Sequence, residues 1–187
     1  MRILLVSLLT TLCFSYATAD SLLKDRAAKS KQVVQQFMEQ LKGELTEAMQ
    51  SGGPVSAISV CNHKAPVIAR ELSAQYGWTI ARTSLNVRNM ENAPDDWERE
   101  ILQNFEHRKA QGEDVKPMAY FAKVNQDGKD QFRFMKAIPT AEVCLKCHGQ
   151  NLAPDVQAKL DELYPSDKAR GYKTGDIRGA FTISQPL

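Results

Sequence analysis

"MAYFAKVNQDGKDQFRFMKAI", Met118 to Ile138, is two runs rich in aromatic and aliphatic residues on either side of Asp127-Gly128. Such runs read as strands, and Asp-Gly between them favours a tight two-residue turn, because both central residues must accept positive φ. The stretch predicts an antiparallel hairpin. Pro139 ends its second strand, since proline cannot donate to a strand ladder.

Beyond Pro139, "CLKCHG" (Cys144 to Gly149) interrupts the pattern. Pro154 to Leu163 then reads as a short helix, "YPSDKARGYKTGD" as a loop and "IRGAFTIS" as a terminal strand. On the other side, Pro94, Asp95 and Asp96 open a helix in which Trp97, Ile101 and Phe105 share a face, and "WTIARTSLNV" reads as a strand fraying into "RNMENAP". From Ser21 to Gln50 the residues Val33, Val34, Phe37, Leu41, Leu45 and Met49 recur at steps of three and four, the stripe of a long amphipathic helix. "SGGP" (Ser51 to Pro54) is a turn. A second helix follows from Val55 to about Asn62, and Pro66 is expected to open a third that stops at Gly77, placing Cys61 at a helix–helix corner. Helices in front of a small antiparallel sheet make an α+β domain.

The first residues, "MRILLVSLLTTLCFSYATAD", have a basic start, an apolar run from Ile3 to Phe14 and Ala17-Thr18-Ala19, the pattern of a secretory signal peptide over 1–19 cleaved before Asp20. The same charge and hydrophobicity also open an uncleaved signal anchor. Either way the domain, 20–187, lies outside the cytoplasm, and the expectation is a periplasmic protein with no membrane span after cleavage. Lys and Arg number 24 and Asp and Glu 22, a formal charge of +2, so no charge excess points to nucleic acid. The mature chain keeps Cys61, Cys144 and Cys147.

Cys144-x-x-Cys147-His148 is the pattern of c-type haem attachment. Two thiols three residues apart can add to the vinyl groups on one edge of the macrocycle, and the next residue, His148, supplies the proximal imidazole. Two rivals use the same atoms. A redox dithiol needs a CxxC in a βαβ context, which the antiparallel strands do not offer. A zinc site could draw on Cys144, Cys147, Cys61 and either His63 or His148. The five-residue motif favours one covalent haem c.

The distal ligand has several candidates: Cys61, His63, His107, Met90, Met118 and Met135. At 100° per residue His107 points away from the face of Trp97, Ile101 and Phe105, so it is expected at the surface. Cys61 and His63 are about 200° apart on a helix, and Ala57 and Ile58 put Cys61 on the apolar side. Spacing therefore prefers the sulfur to His63, while leaving an iron ligand and a buried structural thiol equally supported for Cys61. Arg82 and Arg88 in "ARTSLNVRN" are candidates for haem propionates or ordinary surface arginines.

Across nearly the whole mature chain the sequence resembles a family of single-haem c-type proteins with a PAS-like fold, long catalogued as a domain of unknown function. The matching stretches include "AISVCNHKAPVIARELS", "GWTIARTSLNVRNMENAPDDWE", "FRFMKAIPTAEVCLKCHG", "LYPSDKARGYKTGDIRGAFTI" and "QPL". Cys61, Ala65 and Pro66 match the family pattern Cys-x-x-x-Ala-Pro. The resemblance implies a PAS-like antiparallel sheet with long N-terminal helices packed on it, and an axial pair of Cys61 (distal) and His148 (proximal). It gives His63 no role.

A thiolate ligand favours ferric over ferrous iron, so the expected function is a redox or small-gas sensor whose distal site opens when the iron–sulfur bond weakens, with the corner at Cys61 as the moving part. The alternative is a low-potential electron-transfer cytochrome. An enzyme is not expected, because no distal acid–base pair is identifiable. Expected partners are a redox or signalling protein of unstated identity, a small gas, or a second copy docked on the long first helix.

Overall fold

A computed structural model describes residues 12–187, with side chains from Asp20 onward. Most of the expected leader, 1–19, lies outside the described residues. Among these, no helix is long and apolar enough to cross a membrane.

The first element, α1 (Leu12–Tyr76), is helical except at Gly53, which combines a positive φ with an extended ψ. That region is open essentially to glycine. Gly53 divides α1 into two antiparallel arms: the Tyr76 hydroxyl donates to Gln36 Oε1 at 2.9 Å and Lys64 Nζ lies 3.5 Å from Glu44 Oε1. Pro54 begins the second arm, where a missing N–H costs nothing. The first arm buries Ala27, Ser30, Val34, Phe37 and Leu41, and the second buries Ala65, Ile68 and Leu72, each at helical spacing.

The third helix expected at Pro66 does not exist. The second arm continues through Pro66 with no further non-helical residue. Proline removes the bond to the Asn62 carbonyl, but the buried Ala65 and Ile68 on either side hold the backbone in line. Cys61 therefore stands on a continuous helix rather than at a corner.

Four strands, β1 (Thr79–Thr83), β2 (Ala119–Gln126), β3 (Lys129–Pro139) and β4 (Ile177–Pro186), form one sheet in the order β1-β4-β3-β2, all pairs antiparallel. The β2–β3 turn is Asp127-Gly128, and both residues have positive φ, as the dipeptide predicts. The first strand is shorter than expected. At Ser84 the chain leaves the sheet, its hydroxyl close to the Arg178 carbonyl (2.9 Å) and the Asn86 carbonyl (3.1 Å).

Helix α2 (Asp96–Ala110) starts with a capping box in which Asp95 Oδ1 accepts from the Glu98 amide and Glu98 Oε2 accepts from the Asp95 amide. Its Ile101, Leu102 and Phe105 pack with Met135 and Ala180 on one face of the sheet, while α1 packs with Phe132, Phe134, Phe181 and Ile183 on the other. The sheet is thus covered on both faces, which completes an α+β fold. Helix α3 (Leu145–His148) is a single turn, and α4 (Pro154–Leu163) packs Val156 and Leu160 against Ile58 of α1.

One irregularity positions the site. Ile138 pairs with Gly179, but Pro139 pairs with Ile177, so Arg178 is the extra residue of a β-bulge. Gly179 has a positive φ, and a Cβ there would collide with the Thr83 carbonyl oxygen. Only glycine lets β4 approach β1 so closely.

Candidate functional site

The cysteine motif occupies a 3-10 turn, Glu142–Cys144, that runs directly into α3. Cys144 and Cys147 are three residues apart on this turn, hence on neighbouring positions of one face. Both thiols, and that of Cys61, are free and half-buried. Backbone bonds tie the turn to the segment after α4: the Tyr172 amide donates to the His148 carbonyl (2.9 Å) and the Gly171 amide to that of Gly149 (3.0 Å).

His148 Nδ1 lies 2.8 Å from the Ala169 carbonyl oxygen. A carbonyl only accepts, so Nδ1 carries the proton and Nε2 the lone pair. Burial, with Arg178 and Arg88 nearby, holds the imidazole well below the usual histidine range, keeping it neutral.

Asp167 organises this side. Its carboxylate, 1% exposed, accepts from Arg88 Nε (3.1 Å), Arg170 Nε (2.8 Å) and the Ala169 amide (2.8 Å). Burial by itself would raise the Asp167 pKa, but the bonds from Arg88, Arg170 and Ala169 outweigh it and hold the group below the ordinary aspartate value. Arg88 Nη2 also donates to the carbonyls of Cys147 (2.6 Å) and Ala169 (3.0 Å). Arg88, a propionate candidate in the sequence, thus spends Nε and one amino group bracing the cysteine turn.

Cys61 comes from α1 to line the same cavity as His148, together with Arg82, Ile138, Tyr164 and Arg178. Desolvation pushes its thiol up, against the opposing pull of Arg82, Arg88 and Arg178. The Arg82 guanidinium carbon lies 5.7 Å from the Phe37 ring centroid, and among the described residues its side chain forms no ion pair, while its backbone pairs with Phe181 in the sheet. Desolvation lowers the pKa of Arg82 and of Arg178, yet an arginine stays charged in a protein.

Sequence reading missed Arg178. Its Nη1 donates to Ser84 Oγ (3.1 Å) and the Asn86 carbonyl (3.4 Å), its guanidinium carbon sits 5.5 Å from the Tyr172 ring centroid, and its Nε lies 3.1 Å from His148 Nδ1 and 3.3 Å from Nε2. Nearly equal distances to the two ring nitrogens set the Arg178 guanidinium across the imidazole and not along the in-plane lone pair of Nε2. One signal was available: a glycine inside the strand "IRGAFTIS" marks a bulge, and a bulge re-aims the residue beside it.

The other ligand candidates lie elsewhere. His63 is exposed; His107 is exposed and 3.0 Å from Gln111; Met90 is 56% exposed; Met118 and Met135 are buried in the core under α2. Among the described residues no three His, Cys, Asp or Glu side chains come together as a metal-binding group, so the zinc tetrad is not assembled. The antiparallel sheet likewise lacks the βαβ unit of a thioredoxin-like dithiol. What converges is one neutral imidazole with a free lone pair, one thiol among cations, two thiols a helical turn apart and two arginines without carboxylate partners. That set could hold a macrocycle bearing a metal, two thiol-reactive groups and two carboxylates.

No curated protein matches the chain. Among solved structures, the crystal structure of the cyanobacterial heme-protein Tll0287 is similar with a TM-score of 0.67 and 22% identity, covering 87% of this chain and 96% of that one, a likeness of fold. The model of the Tll0287-like family matches residues 18–186, nearly the whole sequence. By that match the chain belongs to the Tll0287-like family.

Proposed function

We propose that this protein binds one haem c in the cavity between α1 and the cysteine turn. Cys144 and Cys147 form the thioethers, His148 is the proximal ligand and Cys61 the distal one. The observation that carries the reading is that Cys61 and His148, from distant parts of the chain, line one cavity, and that His148 ends the helical turn that carries Cys147 and starts at Cys144. The solved relative, by its description a haem protein, agrees. The chemistry the group supplies when bound is one-electron redox change and binding of small gases.

The residues prepare that chemistry. The Ala169 carbonyl fixes His148 with Nε2 free, and Asp167 orients Ala169 through its amide. Arg82, Arg88 and Arg178 pull Cys61 toward its thiolate, but burial outweighs them and holds the thiol up, so in this reading it is binding to the iron that would remove the proton. In this reading the protein is exported, its leader removed before Asp20, and acts as a redox or small-gas sensor in the periplasm. In this reading His63 and His107, which do not line the cavity, have no acid–base role there.

One observation favours the second reading, a low-potential electron carrier. With Cys61 on an unbroken helix, the corner expected to move does not exist, and fixed ligation suits electron transfer. The test is to express the chain with cytochrome c maturation machinery and compare ferric and ferrous spectra of the wild type and Cys61→Ala. Haem should survive denaturation and be lost in Cys144→Ala/Cys147→Ala, and Cys61→Ala should change the ferric absorption and EPR spectra. A wild-type ferric spectrum in Cys61→Ala removes the thiolate. A coordination change on reduction of the wild type selects the sensor, and none selects the carrier.

A further inference from the structure

We infer that the free edge of β2 is an interface between two copies of this chain, which pair their β2 strands antiparallel into one continuous sheet. The inference is independent of the haem reading, since β1, whose Arg82 and Thr83 line the cavity, lies at the opposite end of the strand order.

Three observations converge. First, the edge is open and its backbone groups can be assigned. The Ala137 amide donates to the Met118 carbonyl (3.1 Å), while the Asp130 carbonyl is turned to β4 and accepts from the Leu187 amide (3.1 Å). Bonded and non-bonded pairs alternate along an antiparallel ladder, so the even-numbered residues of β2 are spent on β3. Ala119, Phe121, Lys123 and Asn125 aim their N–H and C=O groups outward, and among the described residues no strand lies beyond them. Second, the edge carries an aromatic ring on each face. Tyr120 is 40% exposed beside Trp97, and Phe121 is 36% exposed beside Phe132, whereas an edge that stays single is guarded by charges, proline or a bulge. The strand's one charged residue, Lys123, is held by Asp130 at 2.6 Å.

Third, the strand is complementary to itself in one register. With Ala122 on the two-fold axis, Phe121 faces the partner's Lys123 and Ala119 the partner's Asn125, which gives about eight N–H···O bonds. Tyr120 then meets the partner's Val124, and no like charges oppose. Moving the axis to Lys123 sets two lysines face to face, and moving it to Phe121 loses bonds. A second copy therefore satisfies the edge by an isologous contact. The long first helix offers no comparable face: its apolar stripe is buried against the sheet, and its exposed Leu22 and Met38 lie about 160° apart around it.

The experiment follows the weight-average mass of the full chain by sedimentation equilibrium from about 1 μM to about 1 mM, with folding checked by near-ultraviolet dichroism. The wild type is expected to rise from monomer to dimer mass. Lys123→Pro and Asn125→Pro each remove an outward N–H while leaving β3 its bonds, and each should weaken association roughly tenfold or more. Ala122→Lys and Ala122→Glu set like charges across the axis, so each alone should stay monomeric, while an equal mixture should recover the dimer. A wild type monomeric throughout overturns the proposal, as does a dimer left intact by folded Lys123→Pro and Ala122→Lys. If the proline variants do not fold, the Ala122 variants decide: homodimers that survive both charges, or a mixture that stays monomeric, overturn it.

Discussion

Asp167 is the residue on which the proximal side turns, since one buried carboxylate serves Arg88, Arg170 and the Ala169 amide. Removing it leaves Arg88, 8% exposed, with an unpaired charge. Asp167→Ala should therefore cost about 3–5 kcal/mol, read as a lower midpoint in urea denaturation. Acid probes the same pair. The Asp167 pKa is depressed in the folded state, so its contribution is complete above the unfolded aspartate value and is lost as pH falls through the lower folded value. In Asp167→Asn, which keeps the shape but not the charge, that part of the slope below about pH 4 should vanish from stability measured against pH. Neither Arg88's role nor Asp167's was legible in the sequence, because an ion pair between residues so far apart has no local signature. The CxxCH motif was legible because its chemistry fixes its spacing, and Cys61 was placed on an apolar face by its neighbours Ala57 and Ile58. Arg178 escaped notice because a bulge, not its position in the strand pattern, aims it.

At the level of elements, sequence rules and packing disagree at Pro66. Proline ends helices by local sterics, and that rule predicted a corner; the buried residues on both sides keep the second arm of α1 helical through Pro66 with the loss of one hydrogen bond. Pro66→Ala restores a backbone donor inside a helix and should raise stability by about 1 kcal/mol or more, measured by the thermal midpoint. A loss of stability there would mean that the ring's own packing outweighs the missing bond. Gly179→Ala should act the opposite way. A methyl group would meet the Thr83 carbonyl, so β1 must part from β4 or the bulge must flatten. The expected cost is about 1–3 kcal/mol, with Arg178 re-aimed. The hairpin was readable because its turn chemistry is local, and the α1 stripe because its period is; the strand order, a matter of long-range pairing, was not.

For the molecule as a whole, β4 is the keystone: it pairs with β1 on one side and β3 on the other, and both faces of the sheet draw core residues from it. A chain ending at Asp176 should keep much of its helical far-ultraviolet dichroism but lose near-ultraviolet dichroism and a cooperative unfolding transition. A sharp transition in that truncated chain would show that the αα-hairpin and α2 suffice without the sheet's centre. The central position of β4 also sets an order in time. As the chain is synthesised, α1, α2, the β2–β3 hairpin and the cysteine turn all precede the strand that joins them, and pairings this distant form late. Cys144 and Cys147 are thus available to any enzyme acting on them before Arg178 is delivered to His148, and the seating of β4 closes that interval.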